Sequence, residues 1–260
     1  MIRSRVCDDK IGGMDRAVLI TGASRGIGAA AAQTFAADGD RVAVHYSSSR
    51  GAAEKVLASL PGAGHVLVHA DLADADAVER MVDDAAAALG RIDVLVNNAG
   101  VYHPHRIRET TYAEWQQAWA DTLAVNLIGP ANTTWCAVRH MPRGGRIINV
   151  SSRGAFRGEP NQPAYGASKA ALVSFTQSLA RALGPEGIAV TAIAPGWTTT
   201  DMAAANLAGQ GLPRRAAESP LNRVATPTEV AAALRYLASP AAEFATGTVL
   251  DFNGASHLRM

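Results

Sequence analysis

The chain has 260 residues, of which 48% are hydrophobic and 18% are charged, and its formal net charge at pH 7 is +1. Such a chain can bury a large core, and its near-zero charge excludes a strong electrostatic preference for nucleic acid or a membrane surface. No apolar run approaches the roughly 20 residues that span a bilayer. The two cysteines, Cys7 and Cys136, are far apart in the sequence and form no metal or disulfide pattern. This use of cysteine favours a reducing compartment, the cytoplasm.

Residues 1–14 precede the first apolar segment. They mix charged residues with a Gly-Gly pair and lack the apolar stretch of a signal peptide. We therefore expect residues 1–14 to be a disordered leader, or an upstream start, and residues 15–260 to form one folded domain.

Short segments rich in Val, Ile and Leu alternate with longer Ala-rich segments along the chain. The apolar segments are predicted as strands at 17–21, 41–46, 65–69, 92–97, 146–151, 188–194 and 248–252. Helices are predicted at 26–38, 51–60, 75–89, 112–141, 162–183 and 228–238. Strands this continuously apolar are typical of parallel strands covered on both faces. The alternation predicts an α/β fold with a doubly wound, parallel seven-stranded sheet and helices on both faces.

Three loops that follow strands are expected to border a substrate, because ligands bind outside the carboxyl ends of parallel strands. They are residues 101–110, 153–163 and 198–223. The last of them belongs to a stretch at 198–226 that contains several glycines and prolines and is predicted as a mobile loop with a short helix inside it.

A glycine-rich turn follows the first predicted strand and opens the first predicted helix. Gly22, Gly26 and Gly28 lack side chains, so the backbone can turn tightly and approach phosphate oxygens at the positive end of the helix. Structural turns alone could explain three glycines. Their position directly after an apolar strand favours a single-domain Rossmann fold that binds a dinucleotide.

The end of the second predicted strand indicates which dinucleotide is bound. NAD sites usually place an acidic residue there, but Tyr46 and Ser47 occupy the position and no acidic residue occurs from 42 to 53. Arg25 in the glycine turn and Arg50 are cations suited to the 2′-phosphate of NADP(H). The pattern favours NADP(H) over NAD(H), with solvated surface arginines as the alternative.

Tyr165 and Lys169 are four residues apart on a predicted helix and therefore share one face. A tyrosine in water has a pKa of about 10, about three units too high for proton transfer near neutrality. An ammonium about 4 Å away at an effective dielectric of about 20 supplies roughly the required 4 kcal/mol. We predict that Lys169 lowers the pKa of Tyr165, although an isolated pair with this spacing often arises by chance.

Seven segments of the chain, in this order, resemble the classical short-chain dehydrogenase/reductase family. The match runs from residue 17 to the C-terminus, and 3-oxoacyl-carrier-protein reductases are the members most similar to it. The matching segments are 21–28, Asp71-Leu72, Asn97-Asn98-Ala99-Gly100, Asn126, Ser151-Ser152, 165–169, and Pro195-Gly196 with Thr200.

The resemblance implies roles for four catalytic residues. Tyr165 is expected to be the general acid in reduction and the base in oxidation, with Lys169 lowering its pKa and binding the nicotinamide ribose. Ser152 is expected to hold the substrate oxygen, while its neighbour Ser151 faces away. Asn126 is expected to position a water that links Lys169 to solvent, or else to satisfy backbone groups in a long helix.

The same resemblance implies the contacts of the cofactor NADP(H), and no metal is expected. The predicted cofactor-binding residues are Gly22, Ser24, Arg25, Gly26, Ile27, Gly28, Tyr46, Ser47, Asp71, Leu72, Asn98, Ala99, Gly100, Tyr165, Lys169, Pro195, Gly196, Thr198 and Thr200.

The sequence thus predicts an NADP(H)-dependent oxidoreductase that transfers hydride between nicotinamide and a carbonyl or secondary alcohol. The substrate is expected to be a small molecule, as in a 3-oxoacyl reductase or another ketone reductase, with no nucleic acid or membrane partner. By resemblance the protein is expected to be a homotetramer. A non-catalytic dinucleotide sensor of the same fold is the alternative.

Overall fold

A computed structural model describes residues 15–259 of the chain. The leader predicted for residues 1–14 lies outside the described residues, as does residue 260, so the proposed domain boundary stays a prediction. Among the described helices, none is both long enough and apolar enough to cross a membrane.

The described strands form one parallel sheet in the order β3-β2-β1-β4-β5-β6-β7. They are β1 (Ala17–Ile20), β2 (Arg41–Tyr46), β3 (Val66–His69), β4 (Val94–Asn97), β5 (Arg146–Val150), β6 (Ala189–Pro195) and β7 (Val249–Phe252). Each lies within two residues of its predicted position. The strand order reverses between β1 and β4, which opens a crevice at the carboxyl ends of these strands.

Helices cover both faces of the sheet. The described α-helices are α1 (Gly26–Ala37), α2 (Arg50–Ser59), α3 (Ala75–Leu89), α4 (Tyr112–Leu123), α5 (Gly129–Ala137), α6 (Gly154–Arg157), α7 (Pro163–Leu183), α8 (Asp201–Leu207), α9 (Gly211–Ala216) and α10 (Pro227–Leu237). Val18 and Ile20 of β1 pack in a core with α1 and α10, whereas Ala17 and Leu19 pack in a second core with α3. This alternation is that of a strand buried on both faces, and the predicted fold class is confirmed.

The prediction of one continuous helix at 112–141 is wrong. A π-helical turn, Ala124–Ile128, separates α4 from α5, and a 3-10 turn, Val138–His140, follows α5. Pro130 lies at the start of α5. Because a proline ring clashes with the carbonyl four residues earlier, here that of Asn126, a regular α-helix cannot continue through this point. The widened turn therefore has a local cause in the sequence.

The stretch at 198–226 contains two helices, α8 and α9, where one short helix was predicted. Its two ends are joined by a parallel bridge between Thr198 and Ala225. Further bonds connect Thr199 N to Ala225 O and Ala225 N to Trp197 O, at 3.0 and 2.9 Å. The segment thus leaves and rejoins the fold at one place, beside the carboxyl end of β6.

Candidate active site

A cavity of about 440 Å³ opens at the carboxyl ends of the central strands. Its wall contains every residue predicted to bind the cofactor or to act in catalysis, with the exception of Gly28 and Asn126. The topology therefore brings together segments that are more than 150 residues apart in the chain.

The glycine turn leaves no room for side chains. Gly22 has a φ of +65°, and a Cβ placed there would lie 2.8 Å from Ala99 Cα. A Cβ at Gly28 would lie 2.3 Å from Gly22 O. The Asn98 amide holds the turn by donating to Thr21 O and Gly22 O, at 2.9 and 3.1 Å. This bare backbone at the start of α1, where N–H groups lack helical partners, fits a dinucleotide diphosphate.

His45 supports the same turn from below, and sequence reasoning missed it. Its Nδ1 accepts the N–H of Gly22 at 2.9 Å, so Nε2 carries the proton and donates to Ala70 O at 3.1 Å. Burial lowers the pKa of His45 to about 4, which keeps the ring neutral. The signal was a lone histidine inside the apolar strand β2. His45 thereby ties the glycine turn to the segment after β3.

At the end of the cavity where the adenosine is predicted to bind, the two arginines proposed for the 2′-phosphate have different surroundings. Arg25 is exposed and lies in the wall of the same cavity as Tyr46 and Ser47. Arg50 is a surface residue whose Nε is 2.8 Å from Glu54 Oε1 and whose side chain is 73% exposed. Arg50 matches the alternative of a solvated surface charge, whereas Arg25 remains available to a ligand in the cavity.

The segment after β6 forms the end of the cavity where the nicotinamide is predicted to bind. Pro195, Gly196, Thr198 and Thr200 line the cavity there. The methyl group of Thr200 reaches the glycine turn, since a Cβ placed on Gly26 would lie 3.2 Å from Thr200 Cγ2. The segment after β6 therefore comes close to the glycine turn.

Tyr165 and Lys169 share one face of α7, as predicted, and both lie in the cavity wall with Ser152. Lys169 Nζ lies 5.9 Å from the centre of the Tyr165 ring and donates to Val150 O at 2.8 Å. Ser151 points to α7, where its Oγ donates to Lys169 O at 2.9 Å. The spacing of four has thus placed a phenol and an ammonium together at the end of β5.

The predicted direction of the Tyr165 pKa shift is wrong for the protein alone. Burial raises the pKa of Tyr165 to about 12, against a hydrogen bond from Ser152 that lowers it, and Glu159 raises it further. Burial also lowers the pKa of Lys169 to about 8. Helical spacing predicted the neighbours correctly, but it ignored the desolvation of both groups, which disfavours a phenolate and an ammonium alike.

Asn126 lies in the π-helical turn, next to the cavity rather than in its wall. Its Oδ1 accepts the N–H of Val101 at 2.8 Å, and its Nδ2 donates to Val101 O at 3.0 Å and Ser168 Oγ at 3.3 Å. A Cβ on Gly100 would lie 3.2 Å from Asn126 Oδ1 and 3.5 Å from Lys169 Nζ. The amide therefore satisfies backbone groups beside Lys169, and its role towards a water stays a prediction.

Comparison with known proteins identifies the family. Residues 22–257 match the model of a family described as enoyl-(acyl carrier protein) reductase. The chain is 36% identical over 249 residues to the 3-oxoacyl-[acyl-carrier-protein] reductase FabG of Staphylococcus aureus (strain Mu50 / ATCC 700699), covering 94% of this chain and 99% of that protein. The chain belongs to the short-chain dehydrogenase/reductase family. This dehydrogenase/reductase is therefore an enzyme of the oxidoreductase class, and the predicted resemblance is confirmed.

Solved structures of the family support the same fold. A short chain dehydrogenase from Burkholderia cenocepacia J2315, in complex with NADP, is 36% identical with a TM-score of 0.86, covering 95% of this chain and 99% of that chain. The angucycline C-6 ketoreductase LanV, with bound NADP, is 34% identical with a TM-score of 0.85, covering 94% and 96%.

The end of the cavity where a substrate of this dehydrogenase/reductase is predicted to bind, here called the substrate end, is lined by larger side chains. Tyr102 packs edge-on against Tyr165, with ring centres 4.8 Å apart. Trp197 and Met202 complete an apolar wall, and Glu159, which the sequence did not single out, adds a carboxyl group.

The loop after β4 contains two histidines, His103 and His105. His105 Nδ1 contacts His103 O at 2.8 Å, and its Nε2 accepts the N–H of Ala164 at 3.1 Å. No group of three or more metal-binding side chains occurs within residues 15–259. His105 instead satisfies a backbone donor in the first turn of α7.

A network of ion pairs centred on Glu218 lies at the substrate end. Glu218, which follows α9, accepts from Arg153, from Arg157 at 3.4 Å and from Arg215 at 2.7 Å. Arg153 comes directly after Ser152, and its side chain is 4% exposed. Arg215 also lies 4.5 Å from the centre of the Trp197 ring. The network therefore connects the segment after β6 to the segment after β5.

Proposed function

We propose that the enzyme is an NADP(H)-dependent reductase of a small ketone, in the manner of a 3-oxoacyl reductase or another ketone reductase. The observation that carries this proposal is the position of Ser152, Tyr165 and Lys169 in the wall of the cavity that the glycine turn opens. A non-catalytic sensor has no need for these three groups beside its nucleotide.

The bound nicotinamide would supply the hydride, and residues of the chain would handle the substrate oxygen. Ser152 Oγ hydrogen-bonds that oxygen and Tyr165 gives it the phenolic proton, so the alkoxide never forms free. A phenol with a pKa of about 12 keeps its proton at neutral pH, which suits the reductive direction. Lys169, with a pKa of about 8, is still largely protonated there and stabilises the phenolate that remains.

The preference for NADP(H) rests on the adenosine end of the cleft. Tyr46 at the end of β2 and Ser47 after it stand where NAD sites usually have a carboxylate, and Arg25 supplies a cation in the wall. The Burkholderia and LanV relatives, whose structures contain NADP, support this choice.

Reduction of an acyl chain on a carrier protein is one form of the proposed reaction, because the curated relative carries that name. Reduction of a ketone of the kind that LanV takes is another, because LanV is described as an angucycline C-6 ketoreductase. Ser152 and Tyr165 suit both, since each substrate presents a carbonyl oxygen. A homotetramer stays our expectation from the family resemblance, and a cytoplasmic location stays our expectation from the pattern of cysteines.

The test compares the wild type with Tyr165→Phe on acyl thioesters, cyclic ketones, sugars and steroids. NADPH consumption should be measurable with at least one class in the wild type. In the variant it should fall by about 100-fold or more, because the proton donor is gone. NADPH binding, measured by fluorescence titration, should change little. Full turnover in the variant would remove Tyr165 from the mechanism.

A further inference from the structure

The carboxyl group of Glu159 has no hydrogen-bond donor among the described residues, although its side chain is only 11% exposed. Its closest cation is Arg157, whose Nε is 3.9 Å from Glu159 Oε1, too far for a hydrogen bond. An ionised carboxyl group has two acceptor oxygens, and Glu159 lines the cavity. A carboxyl group in the cavity wall that receives no hydrogen bond from the described residues is open to a donor that enters the cavity.

The backbone is shaped to hold this carboxyl group beside the reacting groups. A Cβ on Gly154 would lie 2.7 Å from Glu159 Oε1, so the side chain lies directly over the Gly154 backbone, whose N–H donates to Ser152 Oγ. On its other side, a Cβ on Gly166 would lie 3.5 Å from Glu159 N, and Gly166 follows Tyr165. Glu159 is thus fixed between the segments that carry Ser152 and Tyr165.

The neighbouring arginines do not neutralise Glu159, because they bind another acid. Arg153, Arg157 and Arg215 all direct guanidinium nitrogens to Glu218. Burial raises the pKa of Glu159, while these three arginines act in the opposite direction and Glu218 raises it. The negative charge of Glu159, which faces the cavity, is therefore balanced less by nearby arginines than the negative charge of Glu218.

We propose that Glu159 accepts a hydrogen bond from a hydroxyl group of the substrate, so that the enzyme selects hydroxylated ketones. The proposal rests on the proposed function and names the substrate class for the same site. Tyr102, Trp197 and Met202 provide apolar surface for the carbon skeleton, and Ser152 and Tyr165 hold the carbonyl oxygen. A substrate carboxylate at the same place would be repelled by Glu159 when Glu159 is ionised.

The probes are acetophenone and the three isomers of its ring-hydroxylated derivative, hydroxyacetophenone. The product alcohols are quantified by chromatography. In the wild type, kcat/KM for the best hydroxylated isomer should exceed that for acetophenone by about 10- to 100-fold, the value of a hydrogen bond to a charged group. Glu159→Leu should reduce this ratio to within about threefold, because the acceptor is lost. Glu159→Gln, which keeps an uncharged acceptor, should give an intermediate ratio.

Arg157→Leu is the matched control, because it removes the ion pair of Glu159 from outside the cavity wall. In this variant the ratio of kcat/KM for the best hydroxylated isomer to kcat/KM for acetophenone should stay within about twofold of the wild-type ratio. A fall in this ratio as large as that in Glu159→Leu would make Glu159 a structural partner of Arg157 only. A wild type that reduces acetophenone without preferring any isomer would overturn the inference and leave the proposed function intact. Failure to reduce or bind any isomer, by calorimetry on the NADP⁺ complex, would also overturn it. Unchanged turnover in Tyr165→Phe would instead overturn the proposed function.

Discussion

The two ends of the cavity are constructed from different parts of the polypeptide. At the nucleotide end, the wall is backbone, held by Asn98 and His45 against a turn in which Gly22 and Gly28 leave no space for a Cβ. At the substrate end, the wall consists of side chains, carried by segments after β4, β5 and β6. A backbone wall suits a ligand whose phosphates are always the same. A side-chain wall can change by substitution without disturbing the sheet.

The largest expected effect comes from placing a methyl group in the backbone wall. In Gly28→Ala the new Cβ would meet Gly22 O at 2.3 Å and Ala23 Cα at 2.9 Å, so the turn must move. We expect NADPH affinity to fall by at least about 100-fold and the free energy of unfolding to fall by about 3 kcal/mol. Fluorescence titration and urea unfolding measure the two quantities.

Gly51→Ala is the control for that substitution. Gly51 lies in the first turn of α2, and a Cβ there meets nothing within 4 Å. It should leave NADPH affinity unchanged and raise the free energy of unfolding by up to about 1 kcal/mol, since alanine is the better helix former. Equal effects of the two substitutions would show that the glycine turn is not a close-packed cradle.

The next effect concerns the side-chain wall. Glu218→Gln leaves the charge of Arg153 buried with a weaker partner, and should lower the free energy of unfolding at neutral pH by about 2 kcal/mol. Glu54→Gln, which removes the exposed partner of Arg50, should cost less than about 0.5 kcal/mol. Urea unfolding of both variants measures the difference, and similar losses would contradict a buried network.

The same variant predicts a pH dependence. Burial alone would raise the pKa of Glu218, but hydrogen bonds from Arg215 and Arg153 lower it overall from 4.5. A depressed carboxyl pKa stabilises the folded state above 4.5, and this contribution is lost as the pH falls through the folded pKa. The advantage of the wild type over Glu218→Gln should therefore be constant near neutrality and shrink below pH 4.5.

The smallest effect sharpens the choice of cofactor at the nucleotide end. Arg25→Ala should weaken NADPH binding by about tenfold while changing NADH binding less than about twofold, because only NADPH carries the 2′-phosphate. Arg50→Ala should alter neither, since Arg50 pairs with Glu54 at the surface. The two affinities are measured by fluorescence titration. Equal losses for NADPH and NADH in Arg25→Ala would show that it does not recognise the phosphate.

The backbone wall at the nucleotide end could be predicted from the sequence more fully than the side-chain wall at the substrate end. The strands and the glycine turn were predictable because apolar runs and glycines act through neighbours in the sequence. Tyr165 and Lys169 were predicted as neighbours, but the direction of the Tyr165 pKa shift was not, because burial depends on everything that packs around α7. Glu159 was missed because one glutamate in a loop carries no signal until Gly154 and Gly166 are seen to fix it.

By itself, the sequence determined the sheet, the family and the residues that surround one cavity. Those depend on local patterns: apolar periodicity, bare glycines and a spacing of four on a helix. Only the tertiary structure decided that Arg25 faces the cleft while Arg50 pairs with Glu54. Only the tertiary structure likewise decided that Glu159 has one distant partner, Arg157 at 3.9 Å, while Glu218 receives three arginines. Charges interact over distance through surroundings of uneven dielectric, so their partners are known only when distant segments have come together.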